Sequence, residues 1–167
     1  MLLVRGDSIF DGYHSYEGPS PFVEVEDQQW YRTGDLVSAD EDGYLQFRGR
    51  LKRFLKAGGE MISLPALEKP FQKKFPADEN GPHVAVEGIE TTAGRMIVLF
   101  TTVDISMREA SEVLLEAGLR GVMRLDAVER IETIPVLGTG KTDYKSLRLQ
   151  VEALVEKGME RQSTKPV

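Results

Sequence analysis

Hydrophobic and polar positions change their period along this chain. Over the first fifty residues the period is two and the runs are short. Leu2-Leu3-Val4 is an apolar run ended by Arg5-Gly6-Asp7, and Phe22-Val23-Glu24-Val25-Glu26 alternates as a half-buried strand does. Trp30-Tyr31-Arg32-Thr33 stops at Gly34-Asp35, and Tyr44-Leu45-Gln46-Phe47 follows the turn pair Asp42-Gly43. With Gly12, Gly18, Pro19 and Pro21 between them, these runs predict a small antiparallel sheet or part of a barrel.

From about residue 52 strands and helices mix. Val84-Ala85-Val86 and Arg95 to Thr102 predict strands, with Gly88 to Gly94 as a hairpin connection, and a third strand is predicted in Ala127 to Ile134. Ser106-Met107-Arg108-Glu109 has the form of a capping box. Met107, Ala110, Val113, Leu114 and Ala117 then recur at helical spacing up to the stop signal Gly118. A last helix is predicted from near Asp143, with Tyr144, Leu147, Val151, Leu154 and Val155 on one face and a polar tail beyond Gly158. Ser63 suits an N-cap for Leu67, Phe71 and Phe75, with Pro65 in the first turn. Pro70 opposes that helix, because an interior proline deletes a donor and costs about 3 kcal/mol; the helix is expected to start later or to kink. The predicted class is α+β: a β-rich subdomain over 1–50, a domain over 51–157 with a small sheet flanked by helices, and a tail over 158–167.

Composition narrows the partners. The 167 residues carry 21 Lys and Arg against 27 Asp and Glu, a net charge of −6, which argues against nucleic acid because phosphate neutralisation needs a basic surface. With no cysteine, disulfides, thiolate metal sites and thiol nucleophiles are excluded, and a cytosolic setting is suited. The longest aliphatic or aromatic run, Met96 to Phe100, is too short for an apolar span, and the N-terminus lacks a signal peptide's apolar stretch.

Three patterns carry candidate chemistry. Gly138-Thr139-Gly140-Lys141-Thr142 ends like a phosphate-binding loop, yet Pro135 stands where that motif needs a glycine, so the anion nest is not made. Lys141 is left as either a solvated loop lysine or a functional cation between permissive glycines. Asp35, at a strand end after Thr33-Gly34, can either make an Asx-turn or accept hydrogen bonds from sugar hydroxyls. Arg48, Arg50, Lys52, Arg53 and Lys56 crowd nine acid-free residues beside Gly58-Gly59; they form either a solvated face or a patch that steers an anionic ligand or acidic partner. His14 and His83 lie far apart in sequence without ligand spacing, so no metal site is expected.

Taken in order, these motifs form a pattern. Leu3-Val4-Arg5-Gly6, Gly12-Tyr13, Trp30 to Leu36, Asp42-Gly43-Tyr44, Phe47-Arg48-Gly49-Arg50, Gly58-Gly59-Glu60 and Gly138-Thr139-Gly140-Lys141 resemble the C-terminal part of adenylate-forming enzymes. These are the acyl-CoA synthetases, luciferases and peptide-synthetase adenylation domains. Gly49 to Leu64 and Pro135 to Tyr144 are similar to acyl-acyl-carrier-protein synthetases, the bifunctional 2-acylglycerophosphoethanolamine acyltransferases among them.

The resemblance implies that residues 1–50 close a large N-terminal domain and that 51–157 form a mobile lid. It implies a reaction in which a fatty-acid carboxylate attacks the α-phosphate of ATP, with Mg2+ expected in the full enzyme. A phosphopantetheine thiol, on acyl carrier protein or coenzyme A, then displaces AMP. By the same resemblance Lys141 is the catalytic cation, Asp35 and Arg50 hold the nucleotide's ribose, and Lys52 is the hinge, although many members carry an acid there. Lys56, Gly58 and Gly59 form the thioester-forming face, and Arg48 and Arg53 the carrier-protein patch. The implied setting is cytoplasmic, with inner-membrane association as a further option for the parent enzyme. The chain is expected to be inactive alone. Alternatives are an acyl-CoA synthetase segment or a non-catalytic carrier-protein-binding module.

Overall fold

The computed structural model describes residues 1–15, 17–92 and 94–163, the side chains of 159–163 excepted. The chain divides into two compact units, Met1–Lys52 and Arg53 onward.

The first unit is all β. Strands β1 (Leu3–Val4), β2 (Phe22–Val25) and β3 (Gln28–Arg32) form one antiparallel sheet in the order β1-β3-β2. Phe10, Phe22 and Tyr31 pack edge to face or tilted against one another, with centroids 5.3 to 5.8 Å apart, on the face of β2 opposite Val23 and Val25. A second hairpin joins β4 (Asp35–Ala39) to β5 (Leu45–Arg50).

The second unit starts with a hairpin, β6 (Phe54–Ala57) and β7 (Glu60–Ser63), closed by Gly58 and Gly59 at φ 60° and 84°. Two successive left-handed residues match the twist of the flanking strands, and glycine takes that conformation without a Cβ penalty. Helix α1 (Leu64–Lys74) follows, with Ser63 Oγ accepting from Ala66 N and Pro65 in the first turn. α1 does not start late, and it runs through Pro70. The buried side chains of Leu64, Leu67, Glu68 and Phe71 hold it across the missing donor.

The central sheet runs β10-β9-β8: β8 (Val84–Thr91) pairs antiparallel with β9 (Gly94–Thr101), and β10 (Ala127–Arg130) pairs parallel with β9. Gly88 lies within β8 rather than in the connection predicted for it. A Cβ there would stand 2.7 Å from the Met96 carbonyl and 2.9 Å from Leu55 Cδ1, so the residue is small to let two strands and β6 approach. Val84, Val86, Ile97 and Leu99 pack beneath α1 and α2 (Met107–Glu116), while Ala85, Ile89, Val98 and Phe100 pack against α3 (Tyr144–Ser163). With both faces covered, strands read as continuous apolar runs rather than alternating ones. The capping box of α2 is present in full. Helix α3 passes through Gly158, where a tail was expected to begin, and continues to Ser163; the rest of that tail lies outside the described residues. Among the described residues no helix is long and apolar enough to cross a membrane.

Candidate functional site

In the first unit the chain folds Thr33-Gly34-Asp35 into a rigid corner. Thr33 Oγ1 donates to the Leu2 carbonyl at 2.9 Å and accepts from Asp35 N at 3.0 Å. Leu2 N donates to the Asp35 carbonyl at 2.8 Å, and Leu51 N to the Gly34 carbonyl at 2.7 Å. Gly34 has φ 75°, which explains the glycine. Asp35 and Arg50 are directly opposite across β4 and β5, and a register shift at Leu36/Val37 leaves Arg48 without a strand partner. Bulges of this kind re-aim side chains. Arg50 Nε stands 2.9 Å from Asp35 Oδ1, yet that buried oxygen accepts no aligned hydrogen bond. It retains acceptor capacity beside a cation, which fits a vicinal pair of hydroxyl donors. A cavity of about 690 Å³, lined among others by Tyr31, Arg32, Thr33, Gly34, Arg50 and Lys52, opens at this corner.

In the second unit Lys141 ends a tight hairpin. Gly140 N donates to the Leu137 carbonyl and Leu137 N to the Lys141 carbonyl, both at 2.8 Å, and Val136 and Thr142 bridge the base. Gly140 at φ 79° supplies the left-handed residue that closes a three-residue loop. Asp143 N donates to the Pro135 carbonyl, and the Asp143 carboxylate accepts from Lys145 N, Ser146 N and Ser146 Oγ at the start of α3. The Ser146 hydrogen bonds hold the Asp143 carboxyl below its usual range. Lys141 itself is exposed and makes no ion pair among the described residues. Lys56 is also exposed, its backbone N donating to Glu90 Oε1, and Gly58 and Gly59 face open space.

The basic run therefore splits. Arg48 lies on the β4–β5 hairpin, donating to Ser38 Oγ and Gln46 Oε1. Arg53 does not join a surface patch, as its place in the run suggested. Its side chain is 15% exposed and donates to Glu68 Oε2 at 3.0 Å and to the Val86 carbonyl at 2.6 Å. Its Nε lies 3.8 Å from Glu87 Oε2, and its guanidinium lies 3.5 Å over the Tyr144 ring. The physical reason is the free edge of β8. Val86 N donates to Glu68 Oε2 at 2.8 Å while its carbonyl accepts from Arg53, so one ion pair satisfies both backbone groups of an edge residue.

Glu68 was not singled out by sequence. Besides Val86 N and Arg53, its carboxylate accepts from Gln72 Nε2 at 2.8 Å and Tyr144 Oη at 2.7 Å. Burial would lower the Arg53 pKa, but Glu68's hydrogen bond and charge outweigh it and the net shift is upward. Burial raises Glu87, and burial followed by the charge of Glu68 pushes the Tyr144 hydroxyl up to about 12. The available signal was a glutamate on the apolar face of α1, one residue after Leu67 and three before Phe71.

No protein-family model matches the chain. It is 32% identical over 159 residues to the 2,3-dihydroxybenzoate-AMP ligase of Bacillus subtilis (strain 168), covering 93% of this chain and 28% of that protein. It is 30% identical over 155 residues to the mitochondrial medium-chain acyl-CoA ligase ACSF2 of Rattus norvegicus, covering 90% of this chain and 24% of the relative. The solved Mycobacterium tuberculosis fatty acyl CoA synthetase superposes with a TM-score of 0.56 at 29% identity, over 75% of this chain and 25% of that one. The chain corresponds to the C-terminal part of the adenylate-forming ligases. Its mixed α+β fold matches the C-terminal domain of that family. The chain spans 14% to 28% of the length of curated relatives such as the Anguibactin system regulator of Vibrio anguillarum and the Bacillus subtilis ligase. Among its described residues no cluster of three His, Asp or Glu side chains could hold a metal ion.

Proposed function

We propose that the chain is the C-terminal portion of an ATP-dependent fatty acyl ligase that makes an acyl-adenylate and passes the acyl group to the phosphopantetheine thiol of acyl carrier protein. The observation that carries this reading is Lys141: an ammonium with no ion pair among the described residues, presented at the end of a hairpin closed by backbone hydrogen bonds. When a carboxylate oxygen attacks the α-phosphorus and pyrophosphate leaves, negative charge accumulates on the bridging and non-bridging oxygens. A preorganised cation stabilises that arrangement over the separated ground state. Asp35, with its spare acceptor capacity, and Arg50 hold the ribose. Lys52 is the hinge, and Lys56 with Gly58 and Gly59 forms the face that receives the thiol arm. Arg48 supplies an exposed cation for an acidic carrier.

The similarity of 49–64 and 135–144 to acyl-carrier-protein synthetases supports carrier protein as acceptor, within a bifunctional lysophospholipid acyltransferase. The likeness to the rat acyl-CoA ligase and the mycobacterial synthetase favours coenzyme A as the second reading. Comparing holo carrier protein and coenzyme A as acceptors of supplied acyl-adenylate separates them. The primary test is fatty-acid-dependent ATP–pyrophosphate exchange by the whole ligase. Lys141→Ala is expected to lower it by about 10²–10³, and an undiminished rate overturns the reading.

A further inference from the structure

Four side chains outside the nucleotide corner meet at one point: Arg53, Glu68, Gln72 and Tyr144. Two of them occupy significant places in the chain. Arg53 is the first residue of the second unit, immediately after Lys52. Tyr144 is the first residue of α3, whose preceding residue, Asp143, closes the Lys141 hairpin on Pro135.

Arg53 is held by two Glu68 oxygens, by the Val86 carbonyl and by the Tyr144 ring, with Glu87 3.8 Å away. With that many partners, backbone rotation next to Arg53 would tear a buried ion pair from its acceptors. A rotation at the preceding Lys52 would leave those partners in place. On the other side, Tyr144 anchors its hydroxyl on Glu68 Oε1 and its ring beneath Arg53. The hairpin's own ties are backbone bonds at an exposed edge, with Gly138 and Gly140 inside the loop; Ile134 before it and Tyr144 after it anchor it by side chain, and of the two only Tyr144 also reaches Arg53 and Glu68.

We propose that Glu68, Arg53 and Tyr144 form a positioning device that transmits the setting of the Lys52 hinge to Lys141. None of the three touches reacting atoms; each acts through the lysine. The proposal rests on the ligase reading above. A misplacement of about 1 Å in a reacting group can cost on the order of 10² in rate, so lateral freedom at Lys141 is costly even where the fold survives.

The test uses the whole ligase with Tyr144→Phe, which removes one hydroxyl and keeps the ring under Arg53, and with Glu68→Gln. Acyl-adenylate formation is expected to lose about 10-fold in kcat, with KM for ATP within about two-fold, because the nucleotide corner lies in the other unit. Thioester formation from supplied acyl-adenylate, in which Lys141 has no part, is expected to keep its rate. A loss shared equally by both half-reactions is the mark of a merely structural cluster and overturns the proposal; so does an unchanged adenylation rate in Tyr144→Phe. Amide hydrogen exchange on the 167-residue chain gives a second measure: in Tyr144→Phe, faster exchange at 137–143 with β8 and β9 unchanged supports the device, and no local change overturns it. Lys141→Ala run in parallel distinguishes the failures. If that variant is fully active, the ligase reading fails; if it is inactive while Tyr144→Phe is normal, only this proposal fails.

Discussion

The Tyr144 hydroxyl donates to Glu68 Oε1 at 2.7 Å while the Arg53 guanidinium covers the same ring at 3.5 Å. A carboxylate on α1, a cation at the start of the second unit and a phenol at the start of α3 thus share one buried point. The first two also satisfy the edge of β8 at Val86.

Removing the carboxylate should be expensive. Glu68→Ala strands the Arg53 charge and the Val86 N–H in the interior, and breaking a buried pair from one side costs about 3–5 kcal/mol. Urea denaturation of the chain is expected to register that loss. Replacing Glu68 and Arg53 together by apolar residues of similar volume should recover part of it, since the uncompensated charge is then gone.

Tyr144 should also mark the alkaline limit of stability. The folded hydroxyl keeps its proton to about pH 12, against 10.0 for an ordinary tyrosine. The unfolded chain therefore loses this proton first, so stability is full below pH 10 and falls as pH rises toward 12. Tyr144→Phe is expected to flatten that part of a stability-against-pH curve. Failure to change its slope would refute the assignment.

Lys141→Ala should leave the fold untouched. Its side chain is exposed and holds no ion pair among the described residues, so the stability change is expected within about 0.5 kcal/mol. Gly140→Ala should differ, because φ 79° strains any residue with a Cβ and costs about 1–2 kcal/mol. Paired thermal melts of the two variants check the contrast.

Gly88→Ala is expected to destabilise the central sheet by about 1–3 kcal/mol. The new methyl would meet a backbone carbonyl at 2.7 Å, which no rotamer change can relieve. A melt at the native midpoint would contradict the close approach of β8, β9 and β6.

Local signals were legible where the physics is local. The capping box at Ser106 and Glu109 forms as read. The β6–β7 hairpin carries its signature in Gly58-Gly59 between short apolar stretches, but Lys52, Arg53 and Lys56 break the alternation that would mark its first strand. The turn between β2 and β3 was not readable, since Glu26 and Asp27 adopt φ 52° and 58° without the glycine or asparagine that marks such a turn. Pro70 argued against a helix that tertiary burial nevertheless holds.

The sequence by itself determined the periodicities, the caps, the glycine turns and the order of motifs, because each depends on residues within one turn or one hairpin. Only the tertiary structure decided that Arg53 faces inward, that Gly88 is a contact and that Glu68 collects Val86 and Tyr144. Those facts depend on which strand edge lacks a partner and which helix covers it. That is set by packing between segments far apart in the chain, and no local pattern encodes it.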